Sequence, residues 1–280
     1  MRISFSKSVT ESLLAKIRSG EMMSRNEKFN LIIQLSIPSI LAQVTTVLMF
    51  YIDAGMVGSL GAEPSAAIGL VEPATWLFFS LVSAVTMGFS VQVAHFIGAN
   101  DFAKARAVMR HGYIFGLCFA LFLLLITFLI GYRLPVWLGG GADIQHDATV
   151  YFLIFSLIIP FHLIEYMSAA MLKVSGDMRR PSFMAILMCV LDVIFNYFFI
   201  FPTRTVSLFG VEVTMPGLGE GVAGAALGSL LSFVCVALPL AYYAIFRSPI
   251  LAWKQDVERF VWRWQYIWNA MKIGAPMALQ

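Results

Sequence analysis

Four carboxylic acids lie inside long apolar segments of this chain. They are Asp53, Glu72, Glu165 and Asp192. An ionised carboxylate at the centre of a bilayer costs roughly 2.5–3.5 kcal/mol on insertion scales. Proteins keep such residues mainly where they bind ions or substrates or relay protons. The sequence therefore predicts a polar working site in apolar surroundings.

Asp192 and Asn196 are four residues apart, so they share one face of a helix. Asp53 falls in the outer half of the first apolar segment, at a depth similar to that of Asn196. We predict that the three side chains form an oxygen-lined pocket for a proton or a hard monovalent cation, while no metal site is expected. In the alternative interpretation, Asp53 caps a helix end near Gly55 and Gly58, and Asp192 pairs structurally with Asn196.

The first apolar segment, Leu31 to Gly58, has one polar face. At about 100° per residue, one arc collects Ser36, Ser39, Gln43, Thr46 and Asp53. Gln43 and Thr46 are candidate cavity-lining residues on this face. Pro38 interrupts the hydrogen-bond ladder of the same helix and is the candidate hinge.

The second apolar segment has a comparable polar stripe. It contains Glu72, Thr75, Trp76, Phe79, Ser83, Thr86 and Ser90. The stripe suits a water-filled cavity lined by Glu72 and Trp76. For the serines and threonines, tight helix packing is the competing interpretation.

His162 and Glu165 are three residues apart on the fourth segment and are further cavity-lining candidates. A proton relay and a mutually satisfied His–Glu pair both fit this spacing. The other histidines lie elsewhere without ligand spacing, and no nucleotide-binding, hydrolase or redox motif is present. We therefore expect no cofactor, no enzymatic activity and no nucleic-acid partner.

Six apolar segments are long enough to span a bilayer, which needs about 20 residues. They are Leu31 to Gly58, Ala66 to Ile97, Ala107 to Leu134, Thr149 to Lys173, Pro181 to Phe201 and Gly221 to Phe246. The composition agrees, because 12% charged residues is about half the fraction of a soluble domain. The predicted fold is an all-α membrane protein with a six-helix lobe.

The basic residues predict the orientation of these spans. With the amino terminus inside, only Arg133 and Arg204 of the 19 basic residues lie outside. We therefore expect a multi-pass protein of the inner (plasma) membrane with a cytoplasmic amino terminus. Between the fifth and sixth spans, an outer loop rich in Gly, Pro and β-branched residues suits a small hairpin.

The remaining segments complete the predicted domain organisation. Residues 1–29 form a cytoplasmic tail, 30–246 the six-helix lobe, and 247–272 an interfacial linker rich in Trp among charges. Residues 273–280 echo residues 35–42, with Pro276 in the place of Pro38. We interpret 273–280 as the start of a truncated seventh helix, so that the chain is the first half of a longer protein.

Several short motifs together point to a family. They are IPSILAQ (37–43) leading to DAGMVG (53–58), GAN (98–100) with Lys104, KVSGD (173–177) with Pro181, LDVIFNYFFIF (191–201) and GEGVAGAALGS (219–229). From residue 31 onward, the chain resembles the multidrug and toxic compound extrusion (MATE) transporters. The resemblance implies one lobe of a twelve-helix antiporter that exports cationic, amphiphilic compounds against an inward flow of protons or sodium.

By the same resemblance, Asp53 is the coupling carboxylate, and Asp192 and Asn196 occupy coupling positions on the fifth helix. The family often has Asn then Asp, or Asn then Asn, at those two positions, whereas this chain has Asp then Asn. The choice between proton and sodium therefore stays open. The resemblance also implies a missing carboxy-terminal lobe, because the family's substrate cavity lies between two lobes.

The sequence is also compatible with two alternatives to a drug antiporter. A lipid-linked oligosaccharide flippase or polysaccharide exporter of similar architecture would need basic residues to meet a pyrophosphate, whereas these spans carry acids. An inactive, truncated membrane protein is the second alternative.

Overall fold

The computed structural model describes residues 12, 13, 15, 16, 21–208, 211–255 and 261–278. Five of its helices are long and apolar enough to cross a membrane, and a bent pair of shorter helices meets the same criterion when the two are counted as one span. The predicted six-span, all-helical lobe is confirmed. Much of the predicted tail 1–29, and residues 279–280 of the predicted seventh helix, lie outside the described residues.

Nine α-helices are formed within the described residues. They are α1 (Arg25–Gly58), α2 (Ala62–Gly98), α3 (Phe102–Gly131), α4 (Leu134–Trp137), α5 (Gln145–Ser156), α6 (Ile158–Val174), α7 (Arg179–Ile200), α8 (Gly221–Tyr242) and α9 (Trp264–Ala278). A π-helical turn, Tyr243–Arg247, extends α8, and a 3₁₀ turn covers Trp253–Gln255.

The predicted fourth span is two helices rather than one. α5 ends at Ser156, α6 begins at Ile158, and the two axes differ by 40°. Pro160 explains the break, because a proline nitrogen cannot donate to the carbonyl four residues before it but fits the first turn of a helix. The Ser156 hydroxyl also donates to the Phe152 carbonyl at 2.6 Å.

Local capping residues define where two of the long helices begin. Ser24 and Glu27 form a capping box at the start of α1. Asp101 caps α3 by accepting from the Lys104 backbone N–H at 3.1 Å. The pKa of the Asp101 carboxyl lies below its usual value, chiefly because of the Lys104 ammonium and secondly because of this backbone N–H.

Close packing of α7 against α8 organises one half of the lobe. A Cβ on Gly224 would overlap the Phe199 carbonyl, and a Cβ on Gly228 would lie 2.9 Å from the backbone nitrogen of Asn196. These small residues therefore allow α7 and α8 to pack with their backbones close together. α1 packs mainly against α7 and leaves much of its own surface exposed.

A two-stranded antiparallel hairpin closes one end of the bundle, which we call the hairpin end. Strand β1 (Pro202–Leu208) pairs with β2 (Val211–Leu218), and this confirms the predicted hairpin. The Arg204 guanidinium lies 4.2 Å from the Phe201 ring centroid, and its Nε donates to the Tyr197 hydroxyl at 3.1 Å. These contacts hold the hairpin on the end of α7.

The opposite end, the linker end, carries the segment between α8 and α9. The Arg106 guanidinium donates to the Ile250 carbonyl at 3.1 Å, and that of Arg110 donates to the Trp253 carbonyl at 2.9 Å. His111 Nδ1 lies 2.7 Å from the Ala107 carbonyl, and Nε2 accepts from the Arg263 backbone N–H at 2.8 Å. Side chains of α3 therefore fix this segment.

Helix α9 begins at Trp264, within the segment predicted as a linker, and continues through the predicted start of the seventh span at 273. It packs along α2 with the backbones in direct contact. A Cβ on Gly88 would lie 2.7 Å from the Ala270 carbonyl carbon, and one on Gly274 would overlap the Ala84 carbonyl. Gln92 of α2 also donates to the Tyr266 carbonyl at 3.0 Å.

Candidate functional site

Helices α1 and α7 bring three of the predicted site residues together. The Asn196 amide nitrogen donates to Asp53 Oδ1 at 2.9 Å and to Asp192 Oδ2 at 3.0 Å. Asp192 and Asn196 lie one turn apart on α7, and Asp53 is in the last turns of α1. One neutral amide therefore bridges two carboxylates, and we call these three residues the acid site.

The acid site is shielded from solvent. Asp192 has no exposed surface, Asn196 is 1% exposed, and Asp53 is half-buried. Among the described residues, neither carboxylate forms an ion pair with a basic side chain. Two buried negative charges sharing one neutral donor are poorly compensated. A bound proton or small cation would compensate them.

Helix α8 adds a residue, Ser232, that the sequence analysis did not assign to the site. The Ser232 hydroxyl lies 3.3 Å from Asp192 Oδ1 and 2.8 Å from the Ser229 carbonyl. Ser232 follows Gly228 by one turn, and Gly228 lets α8 approach Asn196. The sequence signal that was available is this four-residue spacing on a small-residue face.

The other predicted residues of α1 do not join the acid site. Gln43 is exposed, and the Thr46 hydroxyl donates back to the Ala42 carbonyl at 3.0 Å. Pro38 lies inside an uninterrupted α1 and cannot donate to the carbonyl of Gln34. Its role as a hinge stays a prediction.

Glu72 and Trp76 lie together on α2. The Trp76 indole N–H donates to Glu72 Oε1 at 3.3 Å, and both residues are exposed on the lobe. The Trp76 ring also lies 5.2 Å from that of Phe50 on α1. This pair forms a polar and aromatic surface separate from the hydrogen bonds of the acid site.

The hydrogen-bonded His162–Glu165 pair is absent, so that alternative is wrong. Both His162 nitrogens are buried, and neither has a hydrogen-bond partner among the described residues. Instead, the imidazole stacks on the Phe79 ring with centroids 4.4 Å apart. The side chain therefore faces the aromatic interior of the lobe, and half-buried Glu165 remains apart from it.

Comparisons with known proteins agree with this architecture. The MatE family model matches residues 38–198. A probable multidrug resistance protein NorM from Neisseria meningitidis serogroup A is 25% identical over 256 residues, which cover 90% of this chain and 53% of that protein. NorM from Thermotoga maritima is 24% identical, over 89% of this chain and 51% of that protein. This chain thus spans about half the length of these curated relatives.

Solved structures show the same fold. A multidrug resistance MATE family transporter of the MOP superfamily, in an outward-facing conformation, aligns with a TM-score of 0.80 at 23% identity. The alignment covers 98% of this chain and 55% of that chain. A MOP superfamily transporter from Pyrococcus furiosus aligns with a TM-score of 0.78 at 24% identity, over 89% and 52% of the two chains.

Proposed function

Since the chain belongs to the MatE family of membrane transporters, we propose that it is the amino-terminal lobe of a cation-coupled antiporter that exports cationic, amphiphilic compounds. The coupling ion is a proton or sodium, and no other cofactor takes part. A carboxy-terminal lobe would complete the transport path. The two relatives from Neisseria meningitidis and Thermotoga maritima are probable multidrug resistance proteins, which supports a transporter rather than an enzyme.

The observation that carries this proposal is the Asn196 amide between Asp53 and Asp192. An arriving proton or sodium ion would neutralise one buried charge and change the hydrogen bonds between α1 and α7. A ligand shifts a conformational equilibrium only through its different affinity for the two states. Ion and substrate must therefore favour opposite states, with α1 bending at Pro38 between them.

Charge supports a cationic substrate. The acid site and Glu72 offer carboxylates, whereas Arg106 and Arg110 of α3 are engaged at the linker end by backbone carbonyls. A pyrophosphate-linked substrate, as in an oligosaccharide flippase, would need the opposite arrangement. We place the linker end on the cytoplasmic side of the inner membrane, because basic residues are concentrated there.

The test uses the full-length protein reconstituted in liposomes with a fluorescent cationic substrate. Efflux is driven by a pH gradient or a sodium gradient applied separately, which identifies the coupling ion. We expect Asp53→Asn and Asp192→Asn each to abolish gradient-driven efflux, because neither variant can exchange charge at the acid site. Glu63→Gln is the control, since that exposed carboxylate lies in the first turn of α2, outside the acid site. Unchanged efflux in the Asp53 variant would refute the proposal.

A further inference from the structure

Arg133 is a basic residue near the hairpin end that has no structural partner. The other basic residue expected on this side, Arg204, holds the hairpin through the Tyr197 hydroxyl and the Phe201 ring. The Arg133 side chain is exposed, and within the part of the chain that the structure describes it forms neither an ion pair nor a hydrogen bond. An unpaired cation here runs against the charge distribution of the rest of the chain and therefore requires an explanation.

Arg133 lies on a ridge of exposed side chains along α3. The backbone stays in the right-handed helical region from α3 through Tyr132 and Arg133 into α4. Positions four residues apart therefore follow one another along one side of the helix. The positions on this side are Leu121, Leu125, Leu129, Arg133 and Trp137, all of them exposed. We call these five residues the α3 ridge.

The α3 ridge is on a different side of the lobe from the acid site. Helix α3 packs against α2, α5 and α6, whereas the acid site lies where α1, α7 and α8 meet. The three leucines of the ridge are each exposed by half or more on a helix that is long enough to cross a membrane. Leucine at such a position suits contact with lipid acyl chains, and tryptophan prefers the boundary between acyl chains and headgroups. The ridge therefore faces the bilayer, with its boundary near Trp137.

The length of α3 places Arg133 at the level of lipid phosphates. Lys104, in the first turn of α3, belongs to the basic linker end, and Arg133 follows it by 29 residues. At about 1.5 Å per residue, the two positions are about 43 Å apart along the helix. A bilayer with its headgroups is about 40–45 Å thick. With Lys104 at the headgroups of one leaflet, Arg133 therefore lies at the headgroups of the other.

We propose that the α3 ridge binds an anionic phospholipid of the leaflet at the hairpin end, with the Arg133 guanidinium on its phosphate. A guanidinium and a phosphate form paired N–H···O hydrogen bonds between opposite charges. The leucines contact an acyl chain, and Trp137 lies beside the glycerol region, where indole rings are commonly found. The bound lipid is then the partner of Arg133. This inference does not depend on the proposed export function.

The test identifies the molecule beside Arg133 by photocrosslinking in full-length protein reconstituted in nanodiscs. The photoreactive residue p-benzoylphenylalanine replaces Val136, an exposed residue one turn from Arg133. The nanodiscs contain dioleoylphosphatidylglycerol and a smaller share of dioleoylglycerol, which has the same acyl chains but no phosphate. We expect the probe to capture the phospholipid about fivefold in excess of the bulk ratio, as for one basic residue near anionic headgroups.

Matched variants assign this preference to Arg133. Arg133→Gln should return the captured ratio to the bulk value, whereas Arg133→Lys, which keeps the charge, should retain part of the preference. The same probe at Leu125, two turns deeper on the ridge, should report the bulk ratio with or without Arg133. Lys254→Gln removes an exposed charge at the linker end and should leave capture at Val136 unchanged.

A stability measurement shows that the Arg133 variant is folded. Because the side chain has no partner among the described residues, Arg133→Gln should melt in detergent at the temperature of the unmodified protein.

Three results would overturn the inference. They are a bulk ratio at Val136 when Arg133 is present, an unchanged preference in Arg133→Gln, and crosslinking of Val136 mainly to protein. The last result would show that another part of the chain or a second copy covers the α3 ridge. Since the assay measures neither efflux nor ion binding, its failure is distinguishable from failure of the proposed function.

Discussion

At the scale of single residues, the Asn196 amide is the group on which the acid site depends. It is the donor that reaches both Asp53 and Asp192, and it lies where water does not compete. Hydrogen bonds to charged groups contribute roughly 1.5–3 kcal/mol each. The amide thus stabilises the contact between α1 and α7 while its two acceptors remain available to a cation.

Asn196→Leu should make stability strongly dependent on pH. The variant leaves two carboxylates without their shared donor, so we expect a loss on the order of 3 kcal/mol near neutral pH. Protonation removes the unpaired charge, and therefore the stability of the variant should fall as pH rises. Thermal unfolding in detergent between pH 5 and about 8 measures this pH dependence. The melting temperature of the unmodified protein should change less over the same range.

Gln43→Leu is the matched control for this profile. Gln43 is an exposed polar residue of α1, and its loss should leave the pH dependence unchanged. Parallel pH profiles for Asn196→Leu and the unmodified protein would show that the amide does not support the two charges.

The acid site was predictable at this scale, but its full set of residues was not. The four-residue spacing places Asp192 and Asn196 on one face, and the similar depth of Asp53 suggests the contact across helices. Ser232 belongs to a third helix whose rotation depends on packing, so spacing alone could not assign it. His162 has Phe79 and Phe233 as neighbours for the same tertiary reason.

At the scale of elements, the pair α7 and α8 depends on two glycines. Gly228→Ala would place a methyl group against the Asn196 side chain and backbone, which forces the helices apart. We expect a loss of about 1–3 kcal/mol, typical of overpacking. The melting temperature in detergent should fall, and the acid site should lose its hydrogen bonds with it.

Gly69→Ala on α2 is the control for Gly228→Ala, because here we expect no loss of stability. No atom lies within 4 Å of its added Cβ, and alanine favours a helix by up to about 1 kcal/mol over glycine. The variant should be as stable as the parent or more so. Equal melting temperatures for the two alanine variants would contradict the close-packing role of Gly228.

The segment after α8 should loosen when its anchor on α3 is removed. Arg110 donates to the Trp253 carbonyl, and its guanidinium lies 5.5 Å from the Trp253 ring centroid. Loss of these contacts, worth about 1–2 kcal/mol, should increase local opening by roughly 5–30-fold. Trypsin cleavage after the exposed Lys254 should accelerate accordingly in Arg110→Ala.

Arg133→Ala, at an exposed site near the hairpin end, is the control and should leave this cleavage rate unchanged. If Arg110→Ala is cleaved at the rate of the parent, other contacts hold the segment in place.

Element boundaries show where sequence reasoning stops. Hydropathy identified six crossings because each is an apolar run of sufficient length. It could not divide the fourth at Leu157, since a proline in the first turn of a new helix and one inside a kinked helix look alike in sequence. The likeness of residues 273–280 to 35–42 placed the start of the last helix at 273, whereas α9 begins at Trp264, because the tryptophans and charges there are typical of both an interfacial segment and a helix end.

At the scale of the whole molecule, the charge distribution predicts which end of the lobe faces the cytoplasm. We expect a cysteine replacing exposed Thr203 in the hairpin to react with an impermeant maleimide in intact spheroplasts. A cysteine replacing Lys254 should react only after permeabilisation. The background variant replaces Cys118, Cys189 and Cys235 by alanine. The reverse labelling pattern would invert the proposed orientation.

The crossing of α2 and α9 also bears on how distant sequences are compared. Gly88 faces the Ala270 backbone and Gly274 faces the Ala84 backbone, so at each position even one added carbon would overlap the opposite chain. Substitution of either glycine by a larger residue is therefore excluded unless the facing helix moves away. Residues 88 and 274, 186 positions apart in the chain, are thus the pair to inspect first when asking whether a diverged relative joins its helices in the same way.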